Sequence, residues 1–95
     1  MTDLEKYCAK ALRLSEASAE ALISQIDLNI DIARAELIRS GLSEEKANSD
    51  DVLVINAIIK FVCGEMASAE IERTYSREAF RLIMDELRKS EVLDA

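Results

Sequence analysis

Hydrophobic and polar positions follow the 3.6-residue period of an α-helix most clearly between Val52 and Cys63. Only Asn56 and Lys60 are polar in this run, and their spacing of four puts both on one face of a helix. The run is rich in Val and Ile, so a buried strand is the alternative, but its length favours a helix over residues 50–65. A helix that is apolar nearly all round belongs in the middle of a bundle. The apolar run is too short to cross a bilayer, which needs about 20 residues.

The boundaries of this central helix follow from its flanking residues. Asn48, Ser49 and Asp50 are the N-cap candidates, since their side chains can accept hydrogen bonds from free backbone N–H groups. Gly64 is the predicted stop, and a helix that continues one turn to Met66 is the alternative.

The same periodicity predicts three more helices, over residues 3–13, 18–40 and 69–89. Thr2 and Glu5 form a capping box before the first, and Gly41, followed by Leu42, ends the second. Polar residues 43–48 are expected to form an exposed loop. The last helix is expected to bury the apolar residues that recur at helical spacing. These are Ile71, Tyr75, Ala79, Leu82, Ile83 and Leu87.

Two apolar residues of the second helix, Leu28 and Ile32, lie off its main apolar stripe. They predict contact with another helix or with another subunit. Val92 and Leu93 have no evident place in the bundle, so residues 91–95 are expected to be frayed or docked on a partner. The predicted fold is therefore an all-α, four-helix bundle-like single domain over residues 1–95, with a central buried third helix.

Composition supports this fold class and narrows the function. The chain has no Pro and two Gly, too few for the frequent turns of an all-β fold, and is 49% hydrophobic, too much for a disordered acidic tail. Its formal net charge of −7 disfavours ordinary nucleic-acid binding, which depends on contacts to phosphates. An acidic surface can still line a DNA channel that must not grip the duplex.

Few residues suggest chemistry. The chain has no His, and Cys8 and Cys63 are expected to be reduced thiols of a cytoplasmic protein, since no signal peptide is visible. Residues 27–31 resemble the opening of a calcium loop, but Ile32 and Ile38 stand where Gly and Glu are needed. No phosphate loop, nucleophile–base pair or metal-ligand spacing occurs. We therefore expect no enzyme activity, cofactor or metal.

Arg73, Arg77 and Arg81 are spaced by four on the last helix, so they share one face. One interpretation is an ordinary solvated face, relieved by nearby acidic residues. The other is an arginine row that pairs with carboxylates of another subunit.

The order of segments adds a resemblance. Leu12–Ser15 precedes a long helix that closes on IARAELIRSGL; DDVLVINAIIKFV opens the third helix, and Tyr75 and MDELRKS mark the last. Together these segments resemble the small head–tail connector (adaptor) proteins of tailed double-stranded DNA phages and prophages. The chain departs from them at Val52, where they often have Pro or a small residue, and around Phe61, where their aromatic residue usually follows the apolar run.

The resemblance implies a structural virion protein without catalytic residues. Such proteins form rings of about twelve subunits below the portal, extend the DNA channel and seat the next neck or tail-completion protein. The resemblance implies that this protein is located in the virion neck, and in the bacterial cytoplasm before assembly. The interface residues expected here are Leu28, Ile32, Arg73, Arg77, Arg81, Val92 and Leu93, with residues 43–48 and 91–95. The alternatives are a generic acidic helical interaction module, such as a regulator or antitoxin-like partner, and a small-molecule enzyme.

Overall fold

Polar caps set where several helices begin. In the computed structural model, which describes residues 1–94 and side chains through Ser90, the Thr2 hydroxyl accepts from the Glu5 N–H and the Glu5 carboxylate accepts from the Thr2 N–H. Ser15, Ser43 and Asp51 cap three later helices. Over residues 1–94 the chain is all-α, as predicted. The elements are α1 (Asp3–Ala11), α2 (Glu16–Ala21), α3 (Ile23–Arg39), α4 (Glu44–Ala47), α5 (Val52–Met66) and α6 (Glu70–Asp94).

α5 is the central helix, as the sequence predicts. It packs against α1, α3 and α6, and the side chains of Val54, Ile58 and Val62 are completely buried. The helix starts two residues later than predicted because the Asp51 carboxylate, not one of the three expected caps, accepts the Leu53 N–H at 2.9 Å. Val52 is consequently 80% exposed at the free end of the helix and does not join the core.

Gly64 does not stop α5, which continues to Met66. Its role is instead to let α6 approach closely. A Cβ on residue 64 would lie 2.9 Å from the Cγ of Arg77 and 3.4 Å from the Arg77 backbone nitrogen. The missing side chain therefore lets the two helices approach each other closely at this point.

The second predicted helix is two helices. Leu22 has φ −104° and ψ 8°, outside the helical region, and its N–H is shared between the Ser18 and Ala19 carbonyl oxygens. This break separates α2 from α3, yet Ala19 before it and Ile26 after it both reach the core. The prediction of one helix over residues 18–40 was wrong because neither Pro nor Gly marks the break.

Two helices end in the same turn. After α3, the Gly41 N–H donates to the Ile38 carbonyl and the Leu42 N–H to the Leu37 carbonyl, with Gly41 at φ 118° and Leu42 buried. These two hydrogen bonds form a Schellman motif, and they confirm the helix end predicted at Gly41. α1 ends identically, but the left-handed residue is Arg13, at φ 58°. The first helix therefore ends at Ala11, before the predicted residue 13.

Residues 43–48 are not the exposed loop that the sequence predicts. The Ser43 hydroxyl accepts the Lys46 N–H at 3.1 Å and starts α4, a single helical turn. Ala47 is completely buried, and its carbonyl oxygen accepts a hydrogen bond from the Arg34 guanidinium at 2.6 Å. The turn is thus fixed to α3 by one buried methyl group and one charged donor.

α6 extends past the predicted range of 69–89. Its core side is formed by Ser76, Phe80 and Leu87, which are buried, with the half-buried Ile83 and Met84 beside them. The Phe80 ring meets Phe61 of α5 edge to face, with centroids 5.1 Å apart. None of the helices described over residues 1–94 is both long and apolar enough to span a membrane.

Candidate interaction surfaces

The outer side of α6 carries exposed apolar side chains that the sequence assigned to the core. Ile71 is 80% exposed, Tyr75 67% and Leu82 57%. At about 100° per residue these three lie within about 40° of one another around the helix, so they form one line, the α6 stripe. Leaving such large apolar groups in water forgoes about 25 cal/mol of favourable free energy per Å² that could be buried, so the stripe is a candidate contact surface.

A groove lies beside the α6 stripe, between α6, α5 and the end of α1. Its volume is about 440 Å³, and Tyr75, Ile71 and Cys63 contribute to its walls. The Lys60 ammonium sits 5.5 Å from the centre of the Tyr75 ring, within cation–π range. Arg13 reaches across from α1 to within 3.8 Å of the Glu72 carboxylate. The ion pair is exposed and therefore contributes little to stability.

The three arginines expected on one face of α6 have different environments. Arg73 turns inward and donates to the carbonyl oxygens of Ala67 and Ser68, at 2.7 and 3.0 Å, so it closes the turn between α5 and α6. Arg81 pairs with Glu78 at 3.2 Å on its own helix. Arg77 is exposed and has no ion pair among the described residues. Arg77 and Arg81 therefore remain available to a partner, whereas Arg73 is committed to the fold.

α3 carries a second exposed apolar surface. Leu28 is 60% exposed and Ile32 40%, and their spacing of four places them in one line, the α3 stripe. The sequence had separated both from the core-facing positions of this helix. Asp27 and Asp31 follow the same spacing along one edge of the α3 stripe, so this apolar line has an acidic border.

Asp27 forms a carboxyl pair with Glu5 of α1. Glu5 already accepts hydrogen bonds from Thr2, so it is the member that stays ionised, and the hydrogen bond from the Asp27 carboxyl lowers the pKa of Glu5. The same hydrogen bond, aided by burial and by the charges of Glu5 and Asp31, raises the pKa of Asp27. Their position at the edge of α3 adds negative charge to the border of the α3 stripe.

Residues 43–48 border a shallow depression of about 840 Å³ with α6 on its far side. Lys46 pairs with Asp51 at 3.0 Å, and this ammonium, together with the Leu53 N–H, lowers the pKa of the Asp51 carboxyl. The expected interface residues Val92 and Leu93 have side chains outside the described part of the structure, and so do the other residues of 91–95.

The thiols and carboxylates do not assemble into a reactive centre within the described residues. Burial raises the pKa of the Cys8 thiol to about 12 and also raises that of Cys63, so both thiols are protonated at neutral pH and are poor nucleophiles. Both are free and buried. Among the side chains of residues 1–90, no three from acidic residues or Cys stand close enough to hold a metal ion.

Comparisons with known proteins add nothing to this geometry. No protein-family model matches the chain, and neither a curated protein nor a solved structure does. Assignment of a function therefore starts from the two apolar stripes and the resemblance in sequence.

Ile71, Tyr75 and Leu82 are the surface residues that sequence reasoning misplaced. They share helical spacing with one another, but the apolar residues Phe80, Ile83 and Leu87 form a second line at similar spacing about 130° away. The presence of two apolar lines on one helix was the sequence signal that could have shown that one of them is exposed. Phe80 belongs to the second line, and its ring packs against the ring of Phe61.

Proposed function

We propose that the protein is a structural subunit of the virion neck in a tailed double-stranded DNA phage or prophage, a head–tail connector that forms a ring below the portal. The observation that carries the proposal is the pair of exposed apolar stripes on two outer helices of one small domain. The stripes lie on two different helices, α3 and α6, which both pack on α5. A subunit with two different contact surfaces assembles head to tail, and such contacts close into a ring when the rotation per copy allows it. The order of sequence segments supports the connector family.

In this proposal the ring prolongs the DNA channel and seats a downstream neck or tail-completion protein. It contains about twelve copies, as in the proteins that the sequence resembles. With a net charge of −7 per chain, carboxylates that face the bore repel DNA phosphates, so the duplex passes without being held. The function needs no cofactor, metal or catalytic residue.

Binding to a portal ring tests the proposal. The purified protein is measured by size-exclusion chromatography with light scattering over a range of concentrations, alone and mixed with the portal protein of a tailed phage. We expect a stoichiometric complex with the portal ring and no binding to duplex DNA. The templating portal is essential to the design, because contacts between free subunits can be weak.

A matched pair of variants makes the test specific. Leu28→Ser with Leu82→Ser removes one apolar side chain from each stripe and is expected to abolish the ring on the portal. Val52→Ser removes an even more exposed apolar side chain outside both stripes and is expected to have no effect. A stable dimer that ignores the portal would contradict the proposal and favour the second candidate, a helical interaction module, which the α6 stripe also fits because it can cover one partner helix.

A further inference from the structure

We propose that copies of this protein exchange their first two helices, so that α1 and α2 of one copy, here called the arm (residues 3–21), bind to α3 and α5 of the next copy. The exchange straightens the chain at Leu22, where α2 and α3 then form one continuous helix. The partner is a second copy of this chain. The exchange rests on the proposed self-assembly and specifies how neighbouring copies are joined.

The break at Leu22 lacks the signals that usually separate two helices. α1, α2, α4 and α5 each begin with a side chain that accepts a backbone N–H, whereas α3 begins at Leu22 without one. Neither Gly nor Pro follows α2, and Leu has a high helix propensity. The local sequence therefore favours a single helix over residues 16–39, about 36 Å long, and the packing of the arm on the core imposes the break.

The arm contributes few large side chains to the hydrophobic core. The largest side chains that are buried completely, or almost so, are Ile26, Leu37, Ile58, Leu87, Val54, Val62 and Cys8. Of these, only Cys8 belongs to the arm, whose other buried apolar residues are the small Ala9 and Ala19. Without the arm, α3, α5 and α6 still share most of their core, so the arm can open at a lower cost in free energy than unfolding of the whole chain.

The contacts that hold the arm to its own chain can be made equally well with a second copy. The Asp27 carboxyl of α3 donates to the Glu5 carboxylate of α1, and Arg13 lies 3.8 Å from Glu72 of α6. Cys8 is buried where α1 packs on α3 and α5. Exchange between copies restores these same contacts and adds the straightened helix. The hinge and the local concentration of neighbouring copies therefore decide whether the arm binds its own chain or the next one.

Exchange of the arm joins copies in one direction. Each copy gives its arm to one neighbour and receives an arm from the other, so the contact is head to tail and closes into a ring, or into a reciprocal dimer when only two copies take part. On a portal ring the neighbours are held close together, which raises their effective concentration and favours the exchange. In dilute solution the arm binds its own core, and the protein is a monomer.

A matched pair of variants at the hinge tests the straightened helix. Leu22→Ala and Leu22→Gly both remove the half-buried Leu side chain, but Ala favours the helical conformation over Gly by about fivefold. Self-association is measured by sedimentation equilibrium up to millimolar concentration, and thermal unfolding checks that both variants fold. We expect Leu22→Ala to associate about fivefold more strongly per hinge than Leu22→Gly. Equal association of the two variants, or stronger association of Leu22→Gly, would overturn the proposal.

Cross-linking between copies detects the exchange directly. Chains with Glu5→Cys are mixed with chains with Asp27→Cys and oxidised, at millimolar concentration and on the portal ring. We expect a disulfide between the two variants, because exchange places residue 5 of one chain beside residue 27 of the other. In the control, Lys10→Cys on another face of α1 replaces Glu5→Cys and should give little cross-link; the native thiols are buried. Equal cross-linking by the two arm variants would contradict the exchange.

Locking the arm to its own chain separates the exchange from the proposed function. The double variant Glu5→Cys, Asp27→Cys is oxidised at low concentration, which joins α1 to α3 within one chain. We expect the oxidised form to remain a monomer and to form no ring on the portal, and we expect reduction to restore assembly. A ring formed by the oxidised protein would overturn the exchange and leave the proposed function intact. Failure of the unaltered protein to bind the portal would refute that function, and cross-linking in solution would still decide the exchange.

Discussion

At the scale of single residues, Arg13 has a backbone conformation that is unfavourable for a residue with a side chain. Arg13 adopts φ 58°, in the left-handed region that costs an L-residue about 1 kcal/mol or more. The turn after α3 has Gly at the equivalent position, where no such cost arises. The contact that Arg13 makes with Glu72, at 3.8 Å and largely in solvent, is too weak to offset the difference.

We therefore expect Arg13→Gly to raise the free energy of unfolding by about 0.5–1 kcal/mol, because Gly relieves the strained turn. Urea unfolding followed by circular dichroism measures the change. Arg13→Ala is the matched control, since it removes the ion pair but retains the left-handed cost. A loss of stability in Arg13→Gly as large as that in Arg13→Ala would show that the contact with Glu72 matters more than the backbone.

The carboxyl pair at the edge of α3 predicts a pH dependence. Because the hydrogen bond with Glu5 raises the pKa of Asp27, folding favours protonated Asp27; this contribution to stability is present below the unfolded pKa and is lost as pH rises through the folded pKa. Asp27→Asn keeps a donor toward Glu5 and removes the repulsion at neutral pH. We expect the free energy of unfolding to rise by about 0.3 kcal/mol at pH 7, a small gain because the Asp27 side chain is exposed, and not to change near pH 3.

Glu20→Gln, an exposed change of equal charge on α2, serves as the control for general electrostatics. Urea midpoints measured at pH 3, 5 and 7 give the comparison. An equal gain from both variants at pH 7 would mean that net charge, and not the carboxyl pair, causes the effect.

At the scale of elements, the close approach of α5 and α6 depends on Gly64. Replacing an exposed helical Gly with Ala usually raises the free energy of unfolding by up to about 1 kcal/mol, because Ala has the higher helix propensity. Here the added methyl group would meet the Arg77 Cγ at 2.9 Å and the backbone nitrogen at 3.4 Å, and neither atom is the free end of a flexible side chain. Overpacking of this kind costs about 1–3 kcal/mol, more than the gain.

We thus expect Gly64→Ala to lower the free energy of unfolding by about 1 kcal/mol, measured by urea unfolding. Gly41→Ala is a useful comparison, because it loses stability for a different reason, a φ of 118° with open space around the Cβ position. Stabilisation by Gly64→Ala would show that α6 can move away from α5 at little cost.

Several elements could be predicted because local chemistry and packing agree. The capping box of Thr2 and Glu5, the turn at Gly41 and the burial of α5 all follow from residue types at fixed spacing. The break at Leu22 could not be predicted from the sequence, since ordinary helix-forming residues surround it. α4 could not either, because one helical turn is stabilised by the distant Arg34 and by burial of Ala47.

The exposed surfaces also differ in how well the sequence predicts them. Leu28 and Ile32 could be placed outside the core because they depart from a clear stripe, whereas α6 offers two apolar lines and periodicity alone cannot choose between them. Aromatic packing of Phe80 on Phe61 decides the choice, and that contact depends on how α5 and α6 cross. Likewise, the inward turn of Arg73 depends on the carbonyl groups that end α5.

At the scale of the whole molecule, net charge opposes the assembly that the stripes favour. Each copy carries a formal charge of −7 and has a longest dimension of 44 Å, so copies repel at distances where low salt screens little. The Debye length falls from about 20 Å at 0.02 M salt to about 8 Å at 0.15 M, whereas contact ion pairs are screened much less. Moderate salt should therefore help copies to associate.

We expect self-association to strengthen about threefold between 0.02 and 0.15 M NaCl, measured by sedimentation equilibrium. The double variant Glu45→Gln, Glu65→Gln reduces the net negative charge outside both stripes. Its self-association should therefore change less with salt concentration. Steady weakening of the unaltered protein over this range would show that ion pairs dominate over net repulsion.

The enclosure of α5 by three helices has a consequence for measurement. The residues on its core side, such as Ile58, are completely buried by packed neighbours, so their amide hydrogens exchange with solvent only when an entire subunit opens. Their exchange rates report the unfolding equilibrium of one chain even inside a large particle. The middle of this protein thus provides an internal gauge that shows how much each copy gains in stability from joining its neighbours.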